Sequence, residues 1–230
     1  MVHARPQAPL PVNSDAAAAP QVNEALQLVS ASLDPEANAR AYRLAALPSR
    51  AGRDFDAPES LQVIADDLAQ VLEVEAPIER DLLFRRVLDA WSIARLTKRI
   101  EAQLAVALAT TPCHVVEEGS EMILWKREAD AGSYTTWRGP AQDGFVRRPH
   151  EVPVLEIANA VREVLHAAIS IEENDLVRAV SKCLGYARLG RQIEVAVRRG
   201  IAVLVERGEA ERVDTRVRVP APSAVQRPMT

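Results

Sequence analysis

The sequence has few of the residues that hold metals, form disulfides or cross a membrane. Its two cysteines, Cys113 and Cys183, make neither a disulfide framework nor a zinc set, which favours a reducing compartment. No apolar run approaches the roughly 20 residues that a membrane helix needs, and the N-terminus lacks the charged-then-apolar pattern of a secretory signal. We therefore expect a soluble, cytoplasmic protein with no membrane partner.

Basic residues do not outnumber acidic residues in the chain. The chain has 28 lysines and arginines against 32 aspartates and glutamates, a formal net charge of −4 and a pI of about 5.7. A protein that binds nucleic acid through its overall charge is basic. Any nucleic-acid site in this protein must therefore be a local patch.

Catalytic patterns are absent from the sequence too. It has no glycine-rich phosphate loop, nucleophile elbow or Ser/His/Asp arrangement. Adjacent carboxylates such as Glu172 and Glu173 point in different directions on a helix or strand, so they do not converge on a substrate. Cys113 and His114 are neighbours without a second pair of ligands at the usual spacing. We expect no enzyme activity, no metal site and no cofactor.

An internal repeat organises the chain. The stretch SIARLTKRIE at 92–101 returns as GYARLGRQIE at 185–194, an offset of 93 residues (188 − 95 = 93). The same offset holds without a gap over residues 63–101, where core and surface positions stay in step. The identical pairs include Ile64/Ile157, Leu72/Leu165, Ile78/Ile171, Leu83/Leu176, Val87/Val180, Arg95/Arg188 and Glu101/Glu194. A repeat of this kind indicates two copies of one module.

Each copy carries three helical patterns followed by a hairpin pattern. In the first copy, apolar residues recur at helical spacing from Leu61, from Leu82 and from Ile100, and the third helix is predicted to begin near Arg95 or Leu96. Two short β-type runs follow on either side of Gly119. The second copy predicts helices over about 154–167, 172–184 and 189–206, and a shorter hairpin within 210–219.

The predicted fold is mainly α with short β-hairpins, arranged as a tandem winged helix-turn-helix repeat. Tyr134 and Trp137 predict that the connector packs against a module and fixes the two modules relative to each other. Within the lead we expect two short helices between residues 21 and 47 and a linker over 48–57. The predicted organisation is a flexible lead at 1–57, module one at 58–125, a connector at 126–150, module two at 151–219 and a tail at 220–230.

The candidate binding residues are the basic side chains around the third helix of each copy. In helix-turn-helix proteins this helix lies in the major groove, where guanidinium groups pair with phosphates and guanine edges. The alternative is a solvated, salt-bridged helix face, because Glu101, Glu194 and the acidic residues of 206–211 lie nearby. The candidates are Arg95, Lys98, Arg99, Arg188, Arg191, Arg198 and Arg199.

The turn before the third helix carries glycine in one copy only. Gly185 and Gly190 flank Arg188, and a turn at this place favours glycine for positive φ. The first copy has Ser92 and Thr97 at the same positions, which predicts a different turn geometry there. Each copy of the repeat has both the arginine and a glutamate. We therefore expect Arg95 and Arg188 to form intramolecular salt bridges, with Glu79, Glu172 or equivalent glutamates as partners.

Several segments of the chain resemble a known family. They are EAPI at 75–78, EMILW at 121–125, the aromatic and arginine segment at 134–138, RRPHEVPVLEIANAV at 147–161 and the Arg-x-Gly segment at 188–190. Over about 61–219 the chain resembles the C-terminal domain of unknown function of very large bacterial helicase-like proteins, where it often follows a restriction-endonuclease-like, very-short-patch-repair-like domain. The resemblance implies a helicase or nuclease partner. No helicase or nuclease motif accompanies it in this chain.

Two functions follow as hypotheses. The first is a DNA-binding tandem winged-helix module that is accessory to a helicase or nuclease system, in antiviral defence against foreign DNA. The second is a protein–protein scaffold resembling the kite-type accessory subunits of chromosome-organising complexes. A continuous basic strip across both third helices favours the first hypothesis, and interruption of that strip by acidic residues favours the second. The sequence predicts no particular oligomeric state.

Overall fold

The computed structural model describes residues 41–221. This part of the chain is mainly helical, with two small antiparallel sheets of three strands each. The elements, in chain order, are α1 (Ser60–Glu75), β1 (Ile78–Glu79), α2 (Arg80–Ala90), α3 (Lys98–Ala109), β2 (His114–Glu118), β3 (Glu121–Trp125), α4 (Glu128–Ser133), a 3-10 turn (Pro149–Glu151), α5 (Val154–Ala168), β4 (Ser170–Glu172), α6 (Glu173–Cys183), α7 (Arg191–Glu206), β5 (Glu211–Val213) and β6 (Arg216–Arg218).

The same order of elements occurs twice. Helix, strand, helix, helix and hairpin run from α1 to β3 and again from α5 to β6, and the sheet orders β1-β3-β2 and β4-β6-β5 correspond. The bounds follow the sequence offset of 93: α2 and α6 begin at 80 and 173, and α3 and α7 begin at 98 and 191. The predicted repeat is confirmed at the level of secondary structure. We call these two sets of elements repeat one and repeat two.

Each repeat has its own apolar core. In repeat one, Ile64, Leu68 and Val71 line one face of α1 and are completely buried, as helical spacing requires. Helix α2 begins where the Glu79 carboxylate accepts hydrogen bonds from the amides of Asp81 and Leu82, both at 2.9 Å. In repeat two, α7 lies close to α5 at Gly200, where a Cβ would come within 2.8 Å of the Ile157 side chain.

The turn between the second and third helices is the same in both repeats. Gly185 has φ +91°, and Ser92, at the equivalent position, also has a positive φ of +57°. The prediction of a different turn in repeat one is therefore wrong: serine adopts the left-handed conformation at a conformational cost. Serine cannot replace Gly185 so easily, because a Cβ there would lie 2.3 Å from Cγ of Pro140.

Both third helices begin later than predicted. Thr97 and Gly190 have extended backbone conformations and act as the N-cap residues, and the Thr97 hydroxyl accepts a hydrogen bond from the Ile100 amide at 3.4 Å. A Thr cap satisfies an amide that has no partner within the helix. Arg95 and Arg188 therefore lie in the loops before α3 and α7 and not on the helices.

The segment before α1 packs on repeat one instead of forming a flexible linker. Tyr42 and Phe55 are buried, and the Phe55 ring meets Trp91 edge-on at 5.0 Å between ring centroids. Arg50 donates two hydrogen bonds to the buried carboxylate of Asp67. The predicted helices of 21–47 fall mostly outside the described residues, and 41–47 is not helical. The packing of this segment on repeat one could not be predicted from its sequence, because the segment has few large apolar residues.

The connector between the repeats is ordered by its aromatic residues, as predicted. Trp137 belongs to the core of repeat two and donates its indole N–H to Glu163 at 3.0 Å. The Tyr134 ring meets Trp125 of β3 nearly edge-on at 5.2 Å. Aromatic contacts of this kind add to the free energy of area burial. The connector therefore contacts both repeats.

Candidate functional site

The basic residues of repeat one are exposed at the start of α3. Arg95 and Lys98 are exposed in the loop and the first turn. Arg99 is 75% exposed and forms an ion pair with Asp56 at 2.8 Å. The first turn of a helix also carries unpaired amides that favour anions. Within residues 41–221, Arg95 and Lys98 form no ion pair, and Arg99 stays largely exposed despite its pair.

The basic residues of repeat two divide into free and paired side chains. Arg188 and Arg191 are exposed. Arg198 is bound on three sides, to Glu194 at 3.0 Å, to the amide oxygen of Asn174 at 2.8 Å and to Glu173. An arginine whose donors are used in this way is already neutralised and has fewer donors left for a phosphate. Arg198 supports the fold of repeat two.

Arg199 contacts repeat one. Its Nη2 donates to the carbonyl oxygen of Glu118, at the tip of the β2–β3 hairpin, at 3.2 Å. The Glu118 carboxylate in turn accepts a hydrogen bond of 2.7 Å from the amide of Val154, at the start of α5. Burial raises the pKa of Glu118, and the hydrogen bond from Val154 opposes that rise. The hairpin tip of repeat one is therefore docked on repeat two.

A cleft of about 380 Å³ lies beside this docked hairpin. Its lining includes the cations Arg191 and Arg199 of α7 and the carboxylates of Glu118 and Glu121 from the hairpin. Opposite charges across a cleft attract each other and cancel the field that would concentrate an anion. Acidic residues therefore lie beside the cations of α7, so these cations do not form the continuous basic strip that would favour DNA binding.

The exposed side of α3 is mainly apolar. Beyond Lys98, Arg99 and the partly exposed Glu101, its exposed residues are Ala102, Ala105, Val106 and Ala109, and Val106 is 54% exposed. Alanine and valine have no side-chain hydrogen-bonding group, so the contact with a base edge that is open to them is the apolar one to a thymine methyl.

A buried ionic cluster joins the two repeats. Glu156 of α5 has no exposed surface, and its carboxylate accepts hydrogen bonds from Arg138 at 2.8 Å and from Arg147 at 2.9 Å. Arg138 also donates to the carbonyl oxygens of Glu75 and Pro77 in repeat one, at 2.8 and 2.7 Å. Burial alone would raise the pKa of Glu156, but the two guanidinium groups outweigh it and lower the pKa to about 2.

Tyr42 extends this cluster to the segment before α1. The guanidinium groups of Arg138 and Arg147 lie over its ring at 4.9 and 4.4 Å from the centroid. Its hydroxyl donates to the buried carboxylate of Glu75 at 2.7 Å. An ion pair from Arg85 of α2 to Glu151 of the 3-10 turn before α5, at 2.6 Å, also joins repeat one to the segment that leads into repeat two. The repeats are held in one arrangement by paired buried charges.

Sequence analysis missed this junction. The one available signal was that Glu156 stands at the position of the apolar Val63 in the repeat. The predicted bridges from Arg95 and Arg188 are wrong. Glu79 caps α2 instead, and Glu172 pairs with Arg216 at 2.9 Å. The fact that an arginine and a glutamate lie near each other in the sequence does not identify which arginine binds which glutamate in the fold.

The described residues contain no cluster of metal-ligand side chains, and both of their cysteine thiols have raised pKa values. Within residues 41–221, no group of three or more His, Cys, Asp or Glu side chains could hold a metal ion. Burial raises the pKa of the Cys113 thiol and raises that of Cys183 to about 11, which leaves little reactive thiolate at neutral pH. In the same part of the chain no helix is long and apolar enough to cross a bilayer.

Comparison with known proteins finds one family model that is similar to part of repeat one. Residues 53–102 match the family described as "Protein of unknown function (DUF3320)". The match covers the end of the segment before α1, α1, α2 and the first residues of α3. No curated protein and no solved structure matches the chain. The resemblance to a domain of unknown function is supported over these residues.

Proposed function

We propose that the two repeats are winged helix-turn-helix units. The order of helix, strand, helix, helix and hairpin, with the first strand paired to the last, supports this assignment in both repeats. The β2–β3 hairpin is then the wing of repeat one, and β5–β6 is the wing of repeat two. The third helices, α3 and α7, take the position of the recognition helix.

The function supported best is a non-catalytic protein-interaction module, accessory to a helicase or nuclease partner and comparable with kite-type scaffolds. The observation that supports this proposal is the outer face of α3, where Ala102, Ala105, Val106 and Ala109 offer apolar contact and no side-chain hydrogen-bonding group. The docked wing of repeat one and the paired Arg198 agree with it. Exposed apolar residues that lie together mark interaction surfaces.

Photo-crosslinking from single positions tests this function. A benzophenone amino acid at position 106 of the full chain, introduced in the native cell, is expected to crosslink to one protein partner reproducibly. The same group at the exposed position 206, at the end of α7, serves as the matched control. Crosslinks of equal pattern from both positions, or crosslinks from position 106 to nucleic acid alone, contradict the proposal.

Nucleic-acid binding is the second candidate, and the exposed cations at equivalent helix starts favour it. Arg95 and Lys98 precede and begin α3, as Arg188 and Arg191 do for α7. Binding through such phosphate contacts weakens steeply with salt. Under this candidate the chain would hold duplex DNA near a helicase or nuclease in defence against foreign DNA.

Fluorescence anisotropy with a short duplex over a salt series separates the two candidates. Phosphate binding through these residues predicts salt-dependent affinity that falls in the double variant Lys98→Glu with Arg191→Glu. Arg53→Glu with Arg207→Glu, at two exposed arginines outside α3 and α7, is the control for the same change of net charge. Absence of binding at low salt, or equal losses in both variants, removes this candidate.

A further inference from the structure

A free strand edge and an open apolar groove lie side by side in repeat one. The groove runs between α2, α3 and the β2–β3 hairpin and has a volume of about 410 Å³. Its two charged lining residues, Arg80 and Glu101, lie 3.7 Å apart and compensate each other, so the lining has no net charge. The apolar lining residues include Phe84, Ala105, Leu108, Val115, Met122 and Leu124.

Strand β2 forms an edge of its sheet. The sheet order is β1-β3-β2, so β2 pairs with β3 on one side only. The hairpin turns through Gly119, with φ +78°, and Ser120, and the pair that flanks such a two-residue turn is hydrogen-bonded. Hydrogen-bonded and free pairs then alternate along β2, which directs the N–H and C=O groups of Val115 and Glu117 away from β3. Within residues 41–221, no backbone group bonds to these two residues from the free side.

The side chains on this edge lie beside the groove. Successive side chains of a strand point to opposite faces of a sheet, so Val115 and Glu117 share one face. Val115 is paired with Leu124, and both residues line the groove. Val115 is 45% exposed, and Glu117 is exposed and has no ion pair among the described residues. A strand added to this edge would place one side chain beside Val115, in the groove, and another beside Glu117.

Repeat two closes the corresponding place with its own side chains. Arg212 of β5 has the strand position of Val115. Arg212 binds the Glu173 carboxylate at 2.9 Å, and Arg198 of α7 binds the same carboxylate. The equivalent positions of repeat one (173 − 93 = 80 and 198 − 93 = 105 for the two helices), which all line the groove, hold Val115, Arg80 and Ala105. Valine and alanine cannot form this ionic bridge, so the space between the hairpin and the third helix stays open and apolar.

We propose that β2 and this groove bind an extended segment of a partner polypeptide as an added strand of the sheet. Its backbone would pair with the outward N–H and C=O groups of Val115 and Glu117, as peptides do when they extend a sheet edge. An apolar side chain would fill the groove, where its burial is favourable because the lining is apolar and has no net charge. Two residues away, a lysine or arginine would face the unpaired Glu117. This inference rests on the proposed interaction function and names the surface and the chemistry of the partner.

A random-peptide display selection on the full chain, with counter-selection against Ala105→Trp, tests the inference. The indole at position 105 fills the groove, so the counter-selection retains peptides that need the groove. Ala102→Trp, at an exposed alanine of the same helix that does not line the groove, is the matched control. We expect the retained peptides to share an apolar and a basic residue two positions apart and to bind Ala102→Trp with unchanged affinity.

Two further variants test the strand pairing and the charge. Val115→Pro removes the N–H that points away from β3 and leaves the β2–β3 ladder intact, as proline does in edge strands. It should lower the affinity of a retained peptide at least tenfold, and Val115→Ala, which keeps the N–H, should lower it less. Glu117→Lys should also weaken binding, and glutamate in place of the basic residue of the peptide should restore it. Thermal melts establish that each variant is folded.

Three results overturn the inference: no peptide that survives the counter-selection, retained peptides without the paired apolar and basic residues, or binding that Val115→Pro leaves intact. Dimers of the chain that Val115→Pro dissociates, measured by light scattering, would assign this edge to a second copy and overturn it as well. The crosslinking experiment at position 106 does not depend on this edge. A protein crosslinked there without any retained peptide rejects the strand site but keeps the interaction function, and failure of both experiments rejects both.

Discussion

Nη2 of Arg138 lies 2.8 Å from Oε2 of Glu156, and the same nitrogen donates to the carbonyl oxygen of Pro77 at 2.7 Å. Arg138 belongs to the connector, Glu156 to repeat two and Pro77 to repeat one. One guanidinium group therefore joins both repeats, and its charge is compensated by a carboxylate with no exposed surface. This contact fixes the relative positions of the proposed winged-helix units, including the docked wing.

Replacing Glu156 by alanine should strongly destabilise the protein. Arg138 and Arg147 would remain largely buried without a counter-charge, and breaking a buried pair in this way costs about 3 to 5 kcal/mol. The measurement is the free energy of unfolding from urea titration. Glu206→Ala, at an exposed glutamate, is the control and should change it by less than about 0.5 kcal/mol. A loss under about 1 kcal/mol for Glu156→Ala would show that the junction is not held by this charge.

The same carboxylate predicts a particular dependence on pH. Its pKa is lowered to about 2 in the folded protein, below the value of about 4.3 expected in an unfolded chain. A lowered folded pKa gives stability that is present above about pH 4.3 and is lost as the pH falls towards about 2. The difference in unfolding free energy between the native chain and Glu156→Gln should therefore shrink over this range. A difference that stays constant from pH 5 to pH 2.5 contradicts the assignment.

The two turns before the third helices should respond in opposite directions to substitution. Ser92→Gly relieves a positive φ and should stabilise the protein by up to about 1 kcal/mol. Gly185→Ala should destabilise it by about 1 to 3 kcal/mol, because the new Cβ would meet Pro140 and φ is +91°. Urea midpoints measure both effects. Equal signs for the two variants would mean that the turns are not equivalent.

Arg198 and Arg191 should differ in their contribution to stability. Arg198→Ala removes hydrogen bonds to Asn174, Glu173 and Glu194 and should cost about 1 kcal/mol, since the site is partly exposed to solvent. Arg191→Ala changes an exposed residue and should cost less than about 0.5 kcal/mol. Thermal melting of both variants at equal protein concentration compares them directly. A larger loss in Arg191→Ala would reverse the structural role that we assign.

The sequence by itself determined the repeat, the three helices of each copy and the hairpins, but not the short helix α4 of the connector. The offset of 93 residues and the helical spacing of apolar residues can both be read directly from the sequence. Neither requires knowledge of how distant segments pack. These patterns predict the apolar faces of α1 and α2. They also predict the third helix of each repeat. The start of α3 did not, because the Thr97 cap depends on the backbone conformation of a single residue.

Only the tertiary structure decided which charges are free and which are paired. Arg198 and Arg199 are neighbours in the sequence, yet one is bound within repeat two and the other reaches the hairpin of repeat one. Glu75, Arg138 and Glu156 meet although up to 81 residues separate them (156 − 75 = 81). The reason is physical, because the burial of a charge depends on how the whole backbone folds. The spacing of residues within one helix does not specify that fold.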